Sequence, residues 1–206
     1  MTPLLLIGGG GHCHSCIDVI ESTEGYEIVG VVEHLGGPTA PVLGYPVVGS
    51  DDQLGELLTK CTTVLITVGQ ITSPVTRIRL YEFARSAGAI FPVIVSSYAY
   101  VSKHSEIREG TIIMHGATVN AGAEIGVNCI VNSQALVEHD AVVGSHSHIS
   151  TGARLNGGVT IGEGSFVGSG AIINQGVTVG AGCIIVSGSV IRRDVRPGAQ
   201  VWSDGQ

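Results

Sequence analysis

The sequence predicts two units of different construction: an α/β unit with a small parallel sheet, then an all-β unit of stacked three-sided coils. Three observations carry this. Residues 3 to about 96 alternate short apolar runs with helix-like segments, the pattern of a parallel sheet flanked by helices. From Val101 to Ile191 every sixth residue is aliphatic, with no slip of register. Glycine supplies 31 of 206 residues, about twice its usual share, and many of these fall at one fixed place in the hexads.

In order along the chain, PLLLI (3–7) reads as a buried strand, and the glycines 8 to 11 lead into a helix from about Cys13 to Glu21. EIVGVVE (27–33) is a second strand. Residues 36–49 read as loop, with a short apolar piece from Tyr45 to Val48. Asp51 and Asp52 form an N-cap pair for a helix through Lys60. TTVLITVG (62–69) is a third strand, Pro74 suits the start of a helix reaching Ala87, and FPVIV (91–95) is a fourth strand.

In the hexads the aliphatic residue is followed, four places on, by a small one, from Ser105 to Ser189. The residue before that small one is usually Gly. Otherwise it is mostly Asn128, Asp140, Asp194, His104 or His146, types that tolerate positive φ; Gln134 fits there poorly. One aliphatic side chain per hexad points into a shared core, and the small and left-handed residues turn the chain. Three hexads close one triangular coil, and sixteen hexads make about five coils. An antiparallel β protein would show period two instead.

With only 13% charged residues and a net charge of −7, the chain offers no nucleic-acid surface. Leu4 to Ile7 is too short for a signal peptide or membrane span, and no later run is a convincing span. A cytoplasmic location is expected, with the five cysteines reduced and no disulfide framework.

GGGGHCHSC (8–16) permits three readings. His12, Cys13, His14 and Cys16 carry metal-ligand atoms, but a helix would splay them, and the single C-x-x-C has no second half. A redox C-x-x-C is disfavoured by the four-glycine loop. A glycine loop opening a helix offers free N–H groups to a phosphate. Cys13 stands where a dinucleotide fingerprint needs glycine, so NAD is not indicated. No metal is expected.

The hexads from Val101 to about Val195 resemble those of left-handed parallel β-helix acyltransferases. VNSQALVEHDAVVGSHSHISTGARLNGGVTIGEGSFVGS (131–169), joined to the GxxGH loop at Gly8–His12, resembles sugar acetyltransferases with an N-terminal nucleotide-binding domain. These include bacterial UDP-4-amino-sugar N-acetyltransferases and the sialic-acid O-acetyltransferase-like group. The resemblance implies a Rossmann-like nucleotide-sugar domain at 1–97, a left-handed β-helix at 98–206, acetyl-CoA as co-substrate, and a homotrimer with active sites between subunits. It places the general base on His139 in VEHD and its carboxylate partner on Asp140, a turn position where many relatives have Glu. It puts the nucleotide sugar at Gly10, Gly11, His12, Glu33, His34 and Gly69, with Asn132 near the acceptor. His148 matches a residue near the acetyl donor, and Gly157, Ser169 and Ser187 match positions lining the coenzyme A groove. His146 reads as a solvated turn residue and His115 as structural or surface. The tail PGAQVWSDGQ lacks the Gly-x-Pro-Ala loop that the resemblance implies; either the chain is clipped there or Trp202 replaces some contacts.

The resulting expectation is N-acetylation of the 4-amino group of a UDP-linked 4-amino-4,6-dideoxy sugar for glycan assembly. The alternatives are O-acetylation of a sialic-acid-like sugar and a non-catalytic nucleotide-sugar scaffold. A γ-carbonic-anhydrase-type metal site would need a His-x4-His pair, and none has that spacing.

Overall fold

The computed structural model describes residues 1–201. The first unit contains strand β1 (Thr2–Ile7), helix α1 (Gly11–Glu21), β2 (Tyr26–Glu33), β3 (Val47–Ser50), a 3-10 turn (Asp51–Gln53), α2 (Leu54–Lys60), β4 (Val64–Ile66) and α3 (Val75–Ser86). Its sheet is parallel, ordered β3-β2-β1-β4. The apolar run Leu4–Ile7 that ends β1 is buried on both faces, as a strand covered by helices on either side must be.

Several local expectations are corrected. The segment read as loop contains β3, an edge strand that is only half buried, so its hydrophobic signal is weak. Asp51 and Asp52 lie inside the 3-10 turn; the cap is Ser50, whose N–H donates to the Gln53 carboxamide oxygen at 3.1 Å. The strand in FPVIV shrinks to β5 (Ile94–Val95) and leaves the first sheet. It pairs with Ile112–Ile113, so it is the first rung of the second unit. Val95 lies one hexad before Val101, and the register therefore extends one step further back.

The second unit is a left-handed β-helix of two-residue strands. Its rungs repeat every eighteen residues, as in Ile112–Ile130–His148–Phe166–Ile184. They stack into parallel sheets of seven, six and five strands, the three faces of a prism. The aliphatic column is its core: Ile113, Val119, Ile125, Val131, Val137, Val143 and their successors are almost wholly buried. Turn residues Asn128, Gln134, Asp140 and His146 have φ of 52 to 60°, alongside the turn glycines. Gln134 thus accepts the left-handed conformation that its type disfavours, whereas His104 and Asp194 do not adopt it.

The first unit docks on the outer face of the seven-stranded sheet. Cys13, Cys16, Ile17 and Ile20 of α1 share one apolar cluster with Ile94, Ile112, Met114 and Ile130. His115 bridges the units as expected of a structural residue, with Nε2 on Asp18 at 2.9 Å and Nδ1 on Ser96 at 2.6 Å. His146, expected to be solvated, is instead 5% exposed and packs edge-on to Tyr81 of α3. Among the described residues, no helix is long and apolar enough to cross a membrane.

Candidate active site

A cavity of about 630 Å³ opens at the C-terminal ends of β1, β2 and β4, where open parallel sheets receive ligands. Gly8 turns the chain there at φ +108°, and a Cβ on it would come within 2.4 Å of Val68 Cγ2. The next turn is the start of α1, which Gly10 caps without any side chain. A Cβ on Gly10 or Gly11 would meet nothing within 4 Å, so the helix N-terminus faces open space. Free N–H groups and the positive end of the helix favour an anion here.

Gly10, Gly11, His12, Glu33, His34 and Gly69 all line this one cavity, as do Asp51, Gln70, Thr76 and Arg79. The Glu33 carboxylate accepts the His34 N–H and contacts His34 Nδ1, both at 2.8 Å. Gly9 makes room for it, since a Cβ there would lie 2.7 Å from Oε2. Arg79 pairs with Asp51 at 3.1 Å on the rim. His12 presents a buried Nε2 with no hydrogen-bond partner among the described residues. Burial pushes its pKa down to about 3, helped by the positive charge of Arg77 and by His148. His12 is therefore a neutral hydrogen-bonding group, not a cation.

His148, matched to the acetyl donor, also lines this cavity. Its Nδ1–H donates to the Gln70 carbonyl at 2.7 Å, which leaves Nε2 to accept the Asn132 amide at 3.1 Å. Burial lowers its pKa to about 4. Its ring lies 6.1 Å from that of His12. Asn132 thus reaches the cavity wall through His148.

The residue that sequence reasoning missed is Arg77. Only 1% exposed, it donates to the carbonyls of Ile66 (3.3 Å) and Val68 (2.6 Å) in the first unit. It also donates to the carbonyl (2.8 Å) and side-chain oxygen (2.9 Å) of Asn128 in the β-helix. Burial holds its pKa down at about 10, and no carboxylate pairs with it among the described residues. It fastens the cavity loop 68–70 to the prism.

The helix splays the other candidate ligands of GGGGHCHSC. Cys13 and Cys16 are buried against the sheet while His14 is exposed. Burial pushes the Cys13 thiol up to about 11 and Cys16 higher still.

His139 and Asp140 stand elsewhere, on the prism edge between the six- and five-stranded sheets. His139 Nδ1 meets Asp140 Oδ2 at 2.8 Å, so the shorter carboxylate does reach, while Asp140 also holds the turn position with φ 59°. The hydrogen bond to Asp140, and then the charges of Asp140 and Glu138, raise the His139 pKa above its ordinary value. Both side chains are exposed, at 59% and 73%. Glu138 is held beneath them by the Asn120 amide at 2.9 Å and the His139 N–H at 3.2 Å.

Gly157, matched to the coenzyme A groove, lies directly against the His139 ring. Ser169 and Ser187 lie on a different edge, after strands of the seven-stranded sheet. Ser169 shares a hydrogen bond with Ser150 at 2.9 Å. Asn132 belongs to that same edge. Trp202 lies outside the described residues, but Gln200–Val201 of the atypical tail adds a rung beside Ile184–Ile185.

The family description "PglD N-terminal domain" matches residues 3–82, and "Bacterial transferase hexapeptide (six repeats)" matches residues 158–193. The structure is similar to that of a variant perosamine N-acetyltransferase from Caulobacter crescentus in complex with CoA and GDP-perosamine. The identity is 31% over 97% of this chain and 93% of that chain, with a TM-score of 0.90. It is similar also to the acetyltransferase domain of PglB from Neisseria gonorrhoeae in complex with acetyl coenzyme A. There the identity is 32% over 97% of this chain and 95% of that chain, with a TM-score of 0.89. WeeI from Acinetobacter baumannii shares the fold at 21% identity, covering 98% of this chain and 96% of that chain, with a TM-score of 0.83. No match is found among curated proteins.

Proposed function

The chain belongs to the hexapeptide-repeat sugar N-acetyltransferases with a PglD-type N-terminal domain and is an acyltransferase; from that premise we propose that it acetylates the 4-amino group of a UDP-linked 4-amino-4,6-dideoxy sugar, with acetyl-CoA as donor and His139 as general base. The observation that carries the base is the His139–Asp140 pair at 2.8 Å, on an exposed side chain whose bond to Asp140 is made by Nδ1 and not by Nε2. The amine must lose a proton to attack. Nε2 takes it as the N–C bond forms and the thioester C–S bond breaks, and returns it to the departing coenzyme A thiolate. Asp140 holds Nδ1–H, fixing the tautomer that leaves Nε2 basic.

In this reading the helix N-terminus at Gly10 and Gly11 takes the diphosphate, and Glu33 with His34 takes the nucleoside end. His12, with its unpartnered Nε2, and Gly69 complete the pocket. Asn132 acts on the acceptor, through or beside His148. The donor lies along the coils past Gly157, Ser169 and Ser187. A GDP-linked acceptor is the specific second reading, because the Caulobacter relative is seen with GDP-perosamine. We read the working protein as a cytoplasmic homotrimer whose sites form between subunits. The exposure of the dyad supports this, since a lone chain leaves His139 without walls.

The test is thiol release from acetyl-CoA with UDP-4-amino-4,6-dideoxy-N-acetylglucosamine and with a GDP-linked 4-amino sugar. Release that collapses in His139→Ala supports the reaction and the base. Release that persists in the variant refutes the base, and transfer only to a hydroxyl acceptor refutes N-acetylation.

A further inference from the structure

We infer that Gly157 is a positioning residue for the proposed base: the missing side chain at this place seats the His139 imidazole. The inference rests on the reading of His139 as base. It starts from the column of stacked residues on one prism edge. Val119, Val137, Leu155 and Ile173 pair rung to rung, so Ala121, His139, Gly157 and Gln175 follow them in the same place on successive coils. Three of these four positions carry a side chain, so the coil itself does not demand glycine. The backbone of Gly157 does not demand it either. The left-handed residue of this turn is Gly158, at φ +65°, while Gly157 has no positive φ.

What excludes a side chain is the imidazole. A Cβ at position 157 would stand 2.6 Å from His139 Nε2, 2.7 Å from Cε1 and 3.3 Å from Cδ2. At Gly158, one residue on, a Cβ would meet nothing within 4 Å. The ring therefore leans over the next coil and rests on bare backbone. The coil on the other side repeats the device for the partner group. A Cβ on Gly122 would lie 2.3 Å from Asp140 Oδ1. Two glycines on neighbouring coils thus bracket the pair, and the 2.8 Å bond between His139 and Asp140 forms in the slot between them. Gly122 also needs glycine for its φ of +75°, so only Gly157 isolates the seating role.

The His139 side chain is exposed and can swing away from an added methyl group. The variant Gly157→Ala therefore keeps its fold and loses the position of the ring. A displacement of about 1 Å from productive geometry costs on the order of 100-fold in rate. The expected result is a kcat lowered by roughly 10- to 100-fold, beyond any change in KM for acetyl-CoA, with the melting temperature unchanged. His139, followed by NMR of its ring nuclei, should titrate lower in the variant as it loses Asp140. The acid limb of the rate profile should move down in step. Gly157→Val should exaggerate each effect. An unchanged kcat with an unchanged His139 titration overturns the inference. So does a loss confined to the KM of acetyl-CoA with His139 titrating as in the wild type, which is the signature of a residue that only lines the donor groove. If the wild type transfers no acetyl group, the reading of His139 as base falls, and the titration still decides whether Gly157 seats the ring.

Discussion

Replacing Arg77 by Met tests how the two units are held together. The guanidinium is 1% exposed and serves four oxygens: the carbonyls of Ile66, Val68 and Asn128, and the Asn128 side chain. Met approximates its length and removes every donor. Each buried acceptor left unpaired costs about 1–3 kcal/mol. Against this stands the cost of burying the charge, which shows in the pKa held down to about 10 and offsets roughly 3 kcal/mol. Removing one side of a buried charged arrangement typically costs about 3–5 kcal/mol, and the lower end is expected here because no opposite charge is stranded. Arg77→Lys keeps the charge but lacks the fork, since an ammonium cannot span oxygens on both units; it should recover only part of the loss. Equilibrium urea unfolding followed by circular dichroism gives the numbers. A loss under about 1 kcal/mol for Met would refute the argument that this residue fastens the units.

Two pH predictions follow. His12 and His148 have folded pKa values near 3 and 4, both below the ordinary histidine value. Between those limits the unfolded chain binds protons that the folded chain refuses. Stability is therefore present above about pH 6.5 and lost as pH falls. With both groups titrating, the slope should approach 2–3 kcal/mol per pH unit between about pH 6 and pH 4, and His148→Gln should flatten it in urea titrations at stepped pH. His139 has the opposite shift, raised first by its bond to Asp140. Asp140→Asn should move the acid limb of kcat/KM to lower pH and reduce kcat. A limb that stays in place would mean that Asp140 only turns the chain.

The β-helix was legible because its rule is local and repeated: each hexad states its own inward residue and its own turn. Even Gln134, the one poor fit, takes the shared conformation, because neighbouring coils on either side impose it. The first unit was legible at β1, α1 and β2, where apolar runs and glycines are strong signals. It failed at β3, a half-buried edge, and at FPVIV, where an apolar pentapeptide cannot say which sheet it joins. The cavity glycines share one wall because strand ends meet there whatever the side chains do. Arg77 and His146 were invisible for a different reason. A charged residue in a helix-like segment, or a histidine in a turn, reads as solvated until a second domain covers it. The same covering takes His148 out of solvent and places it on the wall of the cavity.

The prism geometry has a consequence for catalysis. The cavity lies against the seven-stranded face, where Gln70 meets Gly164 and His148. His139 lies on the edge where the other two faces meet. In a triangular prism that edge is opposite the seven-stranded face, with the aliphatic core between them. A sugar nucleotide seated in one chain's cavity cannot present its amine to the same chain's His139 without crossing the core. The proposed reaction therefore needs the cavity of one chain to face the histidine of another, which a cyclic trimer would supply at every interface. The check is complementation. His139→Ala keeps its cavity, and Gly11→Asp keeps its base while placing a carboxylate at the helix N-terminus. Each alone should be inactive. Co-expressed in equal amounts, they should restore about a quarter of the sites, those pairing an intact cavity with an intact histidine from different chains. Mixed assemblies that form but stay inactive would show that cavity and base must belong to one chain, and the division of the site across subunits would fall.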